Sequence, residues 1–380
     1  MTLINYLSRM HFADGVLEVA LGADLELSHL KRPLLVSESS VVTAEFSERI
    51  SSGLPYGCEP GNYLIHGALN REKNLSGLIA RVREFQSDVL IAFGTSDAIL
   101  LADSCCHHYA SKANASPGSD GSSTKPLQPK LFAVPGVDGL PALSNQLKEG
   151  VRRRTGLSSL SGVSAATVII DPTLIMGESI SRTASSAANT IARCLGAFLS
   201  HAYNPPADAI AIAGYKRIAR QIPELVFTDS LEMRRELMAA SLNATLSMEK
   251  EPGVAHSLCK ILMTCSSDID EGSLMRLLII AELELLEQQP QQNRIVELRK
   301  ELEMPANKAL TLCVAEVLGK LPLPGSLSEL GIDNHMIKSA TSEILSRKIT
   351  WLPSERDLVG VLKKVDLRSS AIPECEASTV

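Results

Sequence analysis

The chain has 380 residues, 45% of them apolar and 21% charged, with a formal charge of −6. That length and apolar fraction support two domains with separate cores and exclude wholesale disorder. The acidic balance and an aromatic content of only 4% exclude a broad basic face for duplex nucleic acid and a stacking platform for single strands.

In chain order, Met1 to Met10 shows no basic segment followed by an apolar one, and no uncharged apolar run reaches the roughly 18–20 residues of a membrane helix. Even Leu277 to Ala281 runs straight into Glu282 and Glu284. A soluble, cytoplasmic protein is expected, with no membrane partner. Pro33 to Ser37 reads as a buried strand, Ser40 to Ser52 as a helix and Asn62 to His66 as a strand. Asn74 to Phe85 carries Leu75, Leu78, Ile79, Val82 and Phe85 at helical spacing. Asp88 to Phe93 is apolar on both faces, as a central parallel strand is. It ends at Gly94, and a helix is expected from Ala98 to His108. Leu131 to Val134 and Ala166 to Ile170 read as further strands. Strand alternating with helix predicts an α/β domain with a Rossmann-like parallel sheet. The Ser-, Gly-, Pro- and Lys-rich tract between Ser111 and Lys130 reads as a surface insertion. After Asp171 and Pro172 strand signals vanish. Helical periodicity then runs almost to the end, punctuated by Pro205, Pro223, Pro252, Pro290 and Pro305. The expected division is 1–172, α/β, and 173–380, all-helical.

The eight cysteines, Cys58, Cys105, Cys106, Cys194, Cys259, Cys265, Cys313 and Cys375, show no CxxC pairing. Reduced, mostly buried thiols are expected rather than a disulfide scaffold or a structural zinc site. His66, His201, His335 and the run Cys105-Cys106-His107-His108 read as structural or surface groups.

Five patterns carry a resemblance: Phe12-Ala-Asp-Gly-Val-Leu-Glu-Val-Ala20, Asp88-Val-Leu-Ile-Ala-Phe-Gly94, Val168-Ile-Ile-Asp-Pro-Thr-Leu174, Ala184 to Arg193 followed by Asn204-Pro-Pro-Ala-Asp208, and Leu323 to Ile332. Together they resemble the iron-containing alcohol dehydrogenase superfamily, with its dehydroquinate synthase-like fold, and most of all its maleylacetate reductase branch. That branch has Asn in its first ligand helix, as Asn189 here, and a His-x-Leu-Cys-His segment matched by His256-Ser-Leu-Cys-Lys260.

The resemblance implies a phosphate loop, Gly-Gly-Gly-Ser-x-x-Asp-x-x-Lys, at Gly94 to Asp103. Only Gly94 keeps its glycine. Thr95 and Ser96 add side chains, Asp97 adds a negative charge, Leu100 replaces the family's Asp and Asp103 its Lys. Two like unit charges about 4 Å apart repel by about 1–4 kcal/mol. Asp97 and Asp103 are therefore expected to oppose a dinucleotide's phosphates. A second phosphate-side segment falls at Pro135 to Ala142, without the family's threonines.

Family dehydrogenases hold a divalent ion with one Asp and three His. The matching positions are Asn189, Arg193, His256 and Glu271, the last becoming Asp270 if the intervening loop keeps its length. Asn189 and Arg193 are four apart, as are His256 and Lys260, so each pair shares a helix face. A guanidinium cannot ligate, so no metal is expected. Arg193, Lys260, His256 and Glu271 are expected to line an interdomain cleft. There Arg193 would bind a carboxylate or an oxyanion, His256 would act as acid or base near neutral pH, and Glu271 would balance charge.

The favoured reading is a repurposed, non-redox isomerase, cyclase or lyase acting in the interdomain cleft on a small organic or secondary-metabolite substrate, an anion being one option. It goes with no cofactor and a homodimeric assembly. The alternatives are an NAD(P)H-dependent, maleylacetate reductase-like oxidoreductase and a pseudoenzyme or binding subunit.

Overall fold

In a computed structural model, the described residues are 9–38, 44–65, 71–115, 127–144, 165–200, 202–225, 228–248, 250, 253–266, 269–288 and 293–346. His66, His201, Trp351, Cys375 and most of the expected insertion (116–126) fall outside them. The described residues form two compact units.

The first unit is built on six parallel strands: β1 (Met10–Phe12), β2 (Pro33–Glu38), β3 (Gly61–Ile65), β4 (Val89–Gly94), β5 (Lys130–Pro135) and β6 (Thr167–Ile170). Their order is β1-β6-β5-β4-β2-β3. β4 is buried at every position, which is why its sequence shows no alternation. Its odd residues Val89, Ile91 and Phe93 join Phe132 and Val134 of β5 and Ile169 of β6 in one core cluster. Against them pack α1 (Leu17–Leu27), through Leu17, Leu21 and Leu25, and α2 (Ala44–Gly53), through Phe46 and Ile50. The Phe46 ring stacks on Phe93 at 3.5 Å between centroids. α3 (Arg71–Phe85) and α4 (Ser96–Ala115) complete the layer elements of this half. β1 is not legible in the sequence: three residues are too few to show a period, and His11 interrupts the apolar run. α4 is longer at both ends than expected, so residues 111–115 of the presumed insertion are helical.

The second unit is helical: α5 (Ile180–Leu199), α6 (Pro205–Leu225), then, after α7 (Leu231–Ser247), α8 (Val254–Cys265), α9 (Glu271–Glu287), α10 (Asn293–Glu301), α11 (Leu310–Gly319) and α12 (Asn334–Ser346). α6 runs through Pro223, two residues short of its end. In α5 every residue from Thr183 to Leu199 is buried.

The division of the chain differs from a single cut at 172/173. The first unit extends to Glu178, and α7 returns to it while the rest of the helical region does not. Polar ties hold α7 there. Arg234 bonds Asp229 at 2.7 Å and the Glu178 carbonyl at 3.0 Å, Asp229 accepts from Gly177 N at 2.8 Å, and Arg235 pairs with Asp14. α7 also packs on two 3-10 turns, Leu140–Leu143 and Pro172–Ile175. Apolar periodicity shows that α7 is a helix but carries no information about which core it joins.

Candidate active site

The two candidate regions lie one in each unit. In the first unit, the chain leaves β2 toward β3 and leaves β4 toward β5, on opposite sides. The carboxyl ends of β2 and β4 therefore form a topological switch point, where open α/β sheets bind ligands. β4 ends at Gly94, whose φ of +97° favours glycine. The twenty-residue helix α4 starts two residues later, so its first N–H groups lack intrahelical partners and carry the positive end of the helix dipole.

The hydroxyls of Thr95 and Ser96 point to protein partners. Thr95 Oγ1 donates to Glu38 Oε1 at 2.5 Å, and Ser96 Oγ donates to the Asp138 carbonyl at 2.5 Å. The missing glycines are supplied by the neighbouring loop. Gly136 N donates to Gly94 O at 2.8 Å. A Cβ on Gly139 would sit 2.1 Å from Gly94 O, so only glycine allows the two loops to cross there. Asp103 is not beside the turn. It is 1% exposed and seven residues into α4, about 10 Å along the axis from Ser96. Only Asp97, half-buried in the first turn, keeps the position expected of it. An acid in a first turn also stabilises the helix it begins. The frame thus fits a dinucleotide's pyrophosphate, with one charge against it rather than two. Glu38, at the end of β2, was missed; its signal was an acidic residue closing a buried strand at a switch point.

In the second unit, Ser185, Asn189 and Arg193 follow one another at intervals of four along α5 and meet the start of α9. Asp270 caps α9, its Oδ2 accepting from Ser273 N at 2.7 Å, while its Oδ1 accepts from Ser185 Oγ at 2.7 Å. Gly272 lies so close that a Cβ on it would stand 2.0 Å from Ser185 O. Two turns further along α5, Arg193 Nε donates back to Asn189 Oδ1 at 2.9 Å and Nη2 to Glu271 Oε1 at 2.5 Å. The structure thus brings Asn189, Arg193 and Glu271 into direct contact and gives Asp270 a capping role. Ser185 and Gly272 were missed; a glycine two residues after the capping acid Asp270 was the available signal.

His256 and Lys260 lie on α8. Glu282 of α9 caps that helix, accepting from Val254 N at 3.0 Å and Ala255 N at 2.9 Å. His256 is buried, and neither ring nitrogen has a hydrogen-bond partner among the described residues. Burial, then the charges of Lys260 and Arg193, holds its pKa well below the usual histidine range. His256 is therefore a neutral imidazole near pH 7. Two of the five guanidinium N–H groups of Arg193 are taken, by Asn189 and Glu271.

These groups do not fit a divalent ion. The Asn189 oxygen is given to Arg193, the guanidinium has no lone pair, and Glu271 is spent on pairing with it. Among the described residues no three His, Cys, Asp or Glu side chains come together as a metal site. Cys105, Cys106, Cys194 and Cys259 are buried free thiols, and burial pushes those of Cys105 and Cys194 up to about 12.

No family model matches the chain. It is 26% identical over 355 residues to a 4-hydroxybutyrate dehydrogenase of Cupriavidus necator, covering 88% of this chain and 91% of that one. An iron-containing alcohol dehydrogenase of Thermococcus thioreducens superposes with a TM-score of 0.78 at 18% identity, over 96% of this chain and 99% of that one. The chain has the fold of the iron-containing alcohol dehydrogenase superfamily. A sulfoacetaldehyde reductase of Bifidobacterium kashiwanohense, solved with NAD+, superposes with a TM-score of 0.76 at 14% identity, over 96% and 98%. Maleylacetate reductases stand among the further structural neighbours. Sequence relative and structural neighbours alike are dehydrogenases and reductases. They overturn the expectation of a non-redox isomerase, cyclase or lyase, and with it the expectation that no cofactor is used. The error came from weighing Thr95, Ser96 and Asp103 as obstacles, when two are tied to protein partners and the third is buried away from the turn. Among the described residues no helix is long and apolar enough to cross a membrane.

Proposed function

We propose that this chain is an NAD(H)-dependent oxidoreductase that interconverts the alcohol and aldehyde forms of a short hydroxy acid of the 4-hydroxybutyrate type. The observation that carries this reading is the 26% identity to a 4-hydroxybutyrate dehydrogenase across about nine-tenths of both chains. The glycine crossing at Gly94, Gly136 and Gly139, and the start of α4, would hold the cofactor's pyrophosphate. Glu38 would accept from the adenosine ribose hydroxyls, and its charge would repel a 2′-phosphate. When bound, NAD+ accepts a hydride from the carbon bearing the hydroxyl, which becomes a carbonyl carbon as one proton is released. His256, neutral and shielded from water, accepts a hydrogen bond from the hydroxyl, and Arg193 brings positive charge.

This reading predicts NADH over NADPH. Repulsion of a phosphate by Glu38 at contact distance is about 1–4 kcal/mol, or roughly one to three orders of magnitude in affinity. Glu38→Ala is expected to erase most of that preference, with NADPH gaining more than NADH loses. Steady-state kcat/KM for the two cofactors checks it, and an unchanged ratio in the variant contradicts the assignment of Glu38.

A further inference from the structure

The contact between α5 and α9 lies wholly within the helical unit and is held at two levels. At the first, Gly272 comes close to the Ser185 carbonyl, and Ser185 Oγ donates to Asp270. At the second stands a cation. The Arg193 side chain is 2% exposed, and a charge buried that deeply persists only where it is paired and hydrogen-bonded. Its partners come from both helices. The Asn189 oxygen accepts from Nε at 2.9 Å, and the Glu271 carboxylate accepts from Nη2 at 2.5 Å. Asn189, Arg193 and Glu271 are three of the four positions that the sequence resemblance matches to metal ligands. The fold brings those three into contact, but the middle one supplies a positive charge and no lone pair. The formal charges of Arg193 and Glu271 cancel, so nothing in this triad draws a dication in.

We propose that the Arg193 guanidinium is a resident cation, built in where a metal ion would otherwise bind: it gathers the Asn189 oxygen of α5 and the Glu271 carboxylate of α9 at one point, as an ion would, and closes that point to divalent ions. The proposal goes beyond the oxidoreductase reading and does not depend on it. The link between the two helices is made by donors of the chain itself, so it forms on folding and no chelator removes it. The residue at 193 then decides which cation is held. Positions 189 and 193 are four apart and share one helix face, and Glu271 stands opposite them. With the substitutions Asn189→Asp and Arg193→His, a carboxylate, an imidazole and Glu271 would surround the vacated position. Those are ligands of the kind that hold zinc or cobalt. The local formal charge would change from neutral to twice negative, which matches a dication.

The test uses the full chain, stripped with a chelator, desalted and then mixed with Co2+. The parent is expected to retain no cobalt after a second desalting and to melt at the same temperature with the ion as with chelator. A parent that retains one ion per chain and melts higher with it overturns the proposal. The double variant Asn189→Asp, Arg193→His is expected to retain one Co2+ per chain, to gain the visible absorption of protein-bound cobalt, and to melt higher with the ion than with chelator. A folded double variant that retains none overturns the proposal. If that variant folds neither with the ion nor without it, Glu271→Gln decides. This change leaves the guanidinium without its carboxylate, so the unfolding equilibrium constant should rise by about tenfold or more. A fully buried pair would lose more, but Glu271 is 31% exposed. An unchanged denaturation midpoint in Glu271→Gln overturns the proposal. None of these measurements uses turnover, so failure of the oxidoreductase reading and failure of the resident cation are told apart.

Discussion

Asp171→Ala is expected to destabilise the first unit by about 3–5 kcal/mol, the cost of breaking a buried ion pair from one side. Asp171 is fully buried at the end of β6. Its carboxylate accepts from Gly15 N at 2.8 Å, Leu17 N at 3.1 Å, Thr173 N at 3.0 Å and Thr173 Oγ1 at 2.6 Å, and it pairs with Arg49 Nη2 at 2.8 Å. Arg49, on α2, also grips Glu18 of α1 at 2.5 Å and 3.0 Å and Thr173 Oγ1 at 2.8 Å. One carboxylate thus ties the turn before α1, α2 and the turn after β6. Removing it strands three backbone N–H groups as well as one arm of a guanidinium. Against a typical total stability of about 5–15 kcal/mol, that loss should be visible in a denaturant titration as a lower midpoint. Burial alone would raise the Asp171 pKa, but the hydrogen bonds from Thr173, Gly15 and Leu17 hold it below the usual carboxylate value of 3.8. The sign follows. The native state binds fewer protons, so the contribution is present above about pH 4 and is lost as pH falls through the lowered native value. The variant should therefore lose part of the parent's dependence on pH below about 4. Equal midpoints for parent and variant at neutral pH would contradict this role.

Gly272→Ala is the second large effect. A Cβ there would stand 2.0 Å from Ser185 O, 2.5 Å from Ser185 C and 2.5 Å from Ser185 Oγ. Two of those atoms are backbone, so no rotamer change relieves the clash, and α9 must move off α5. Overpacking of this kind costs about 1–3 kcal/mol or more. The functional loss should be larger, because Glu271 is the adjacent residue and carries the pairing to Arg193. A displacement of about 1 Å at a catalytic constellation costs about 10²-fold in rate. Gly196→Ala is the control. It lies in the same helix as Arg193, and a Cβ there meets nothing within 4 Å. It should stabilise the protein by about 0.4–1 kcal/mol with turnover unchanged. If both variants keep parental turnover, the α5–α9 contact does not position Arg193.

The sheet was legible because β2, β4, β5 and β6 are short apolar runs whose burial on both faces leaves a plain signature. β1 and the return of α7 to the first unit were not, since a three-residue strand has no period and a helix's partner is set by long-range packing, here on the turns Leu140–Leu143 and Pro172–Ile175. The patterns Phe12 to Ala20 and Val168 to Leu174 read as two separate signatures. They are one hub, because Asp171 in the second accepts from Gly15 and Leu17 in the first. At the sites, helical spacing correctly placed Asn189 and Arg193 on one face, and the structure adds Ser185 one turn before them. Composition of the phosphate loop misled, because a side chain's identity does not say where its hydroxyl points. Thr95 turns to Glu38 and Ser96 to Asp138, while Gly136 and Gly139 provide the bare backbone from forty residues further on.

Hydride transfer to NAD+ is the step on which the proposed function turns. The most direct measurement follows NADH absorbance when the purified chain is mixed with NAD+ and 4-hydroxybutyrate, with the aldehyde and NADH as the reverse arm. Stoichiometric NADH formation, dependent on both substrates and lost in Arg193→Ala, is the expected result. No NADH formed from 4-hydroxybutyrate or from other short hydroxy acids, with no saturable NADH binding, would contradict the account.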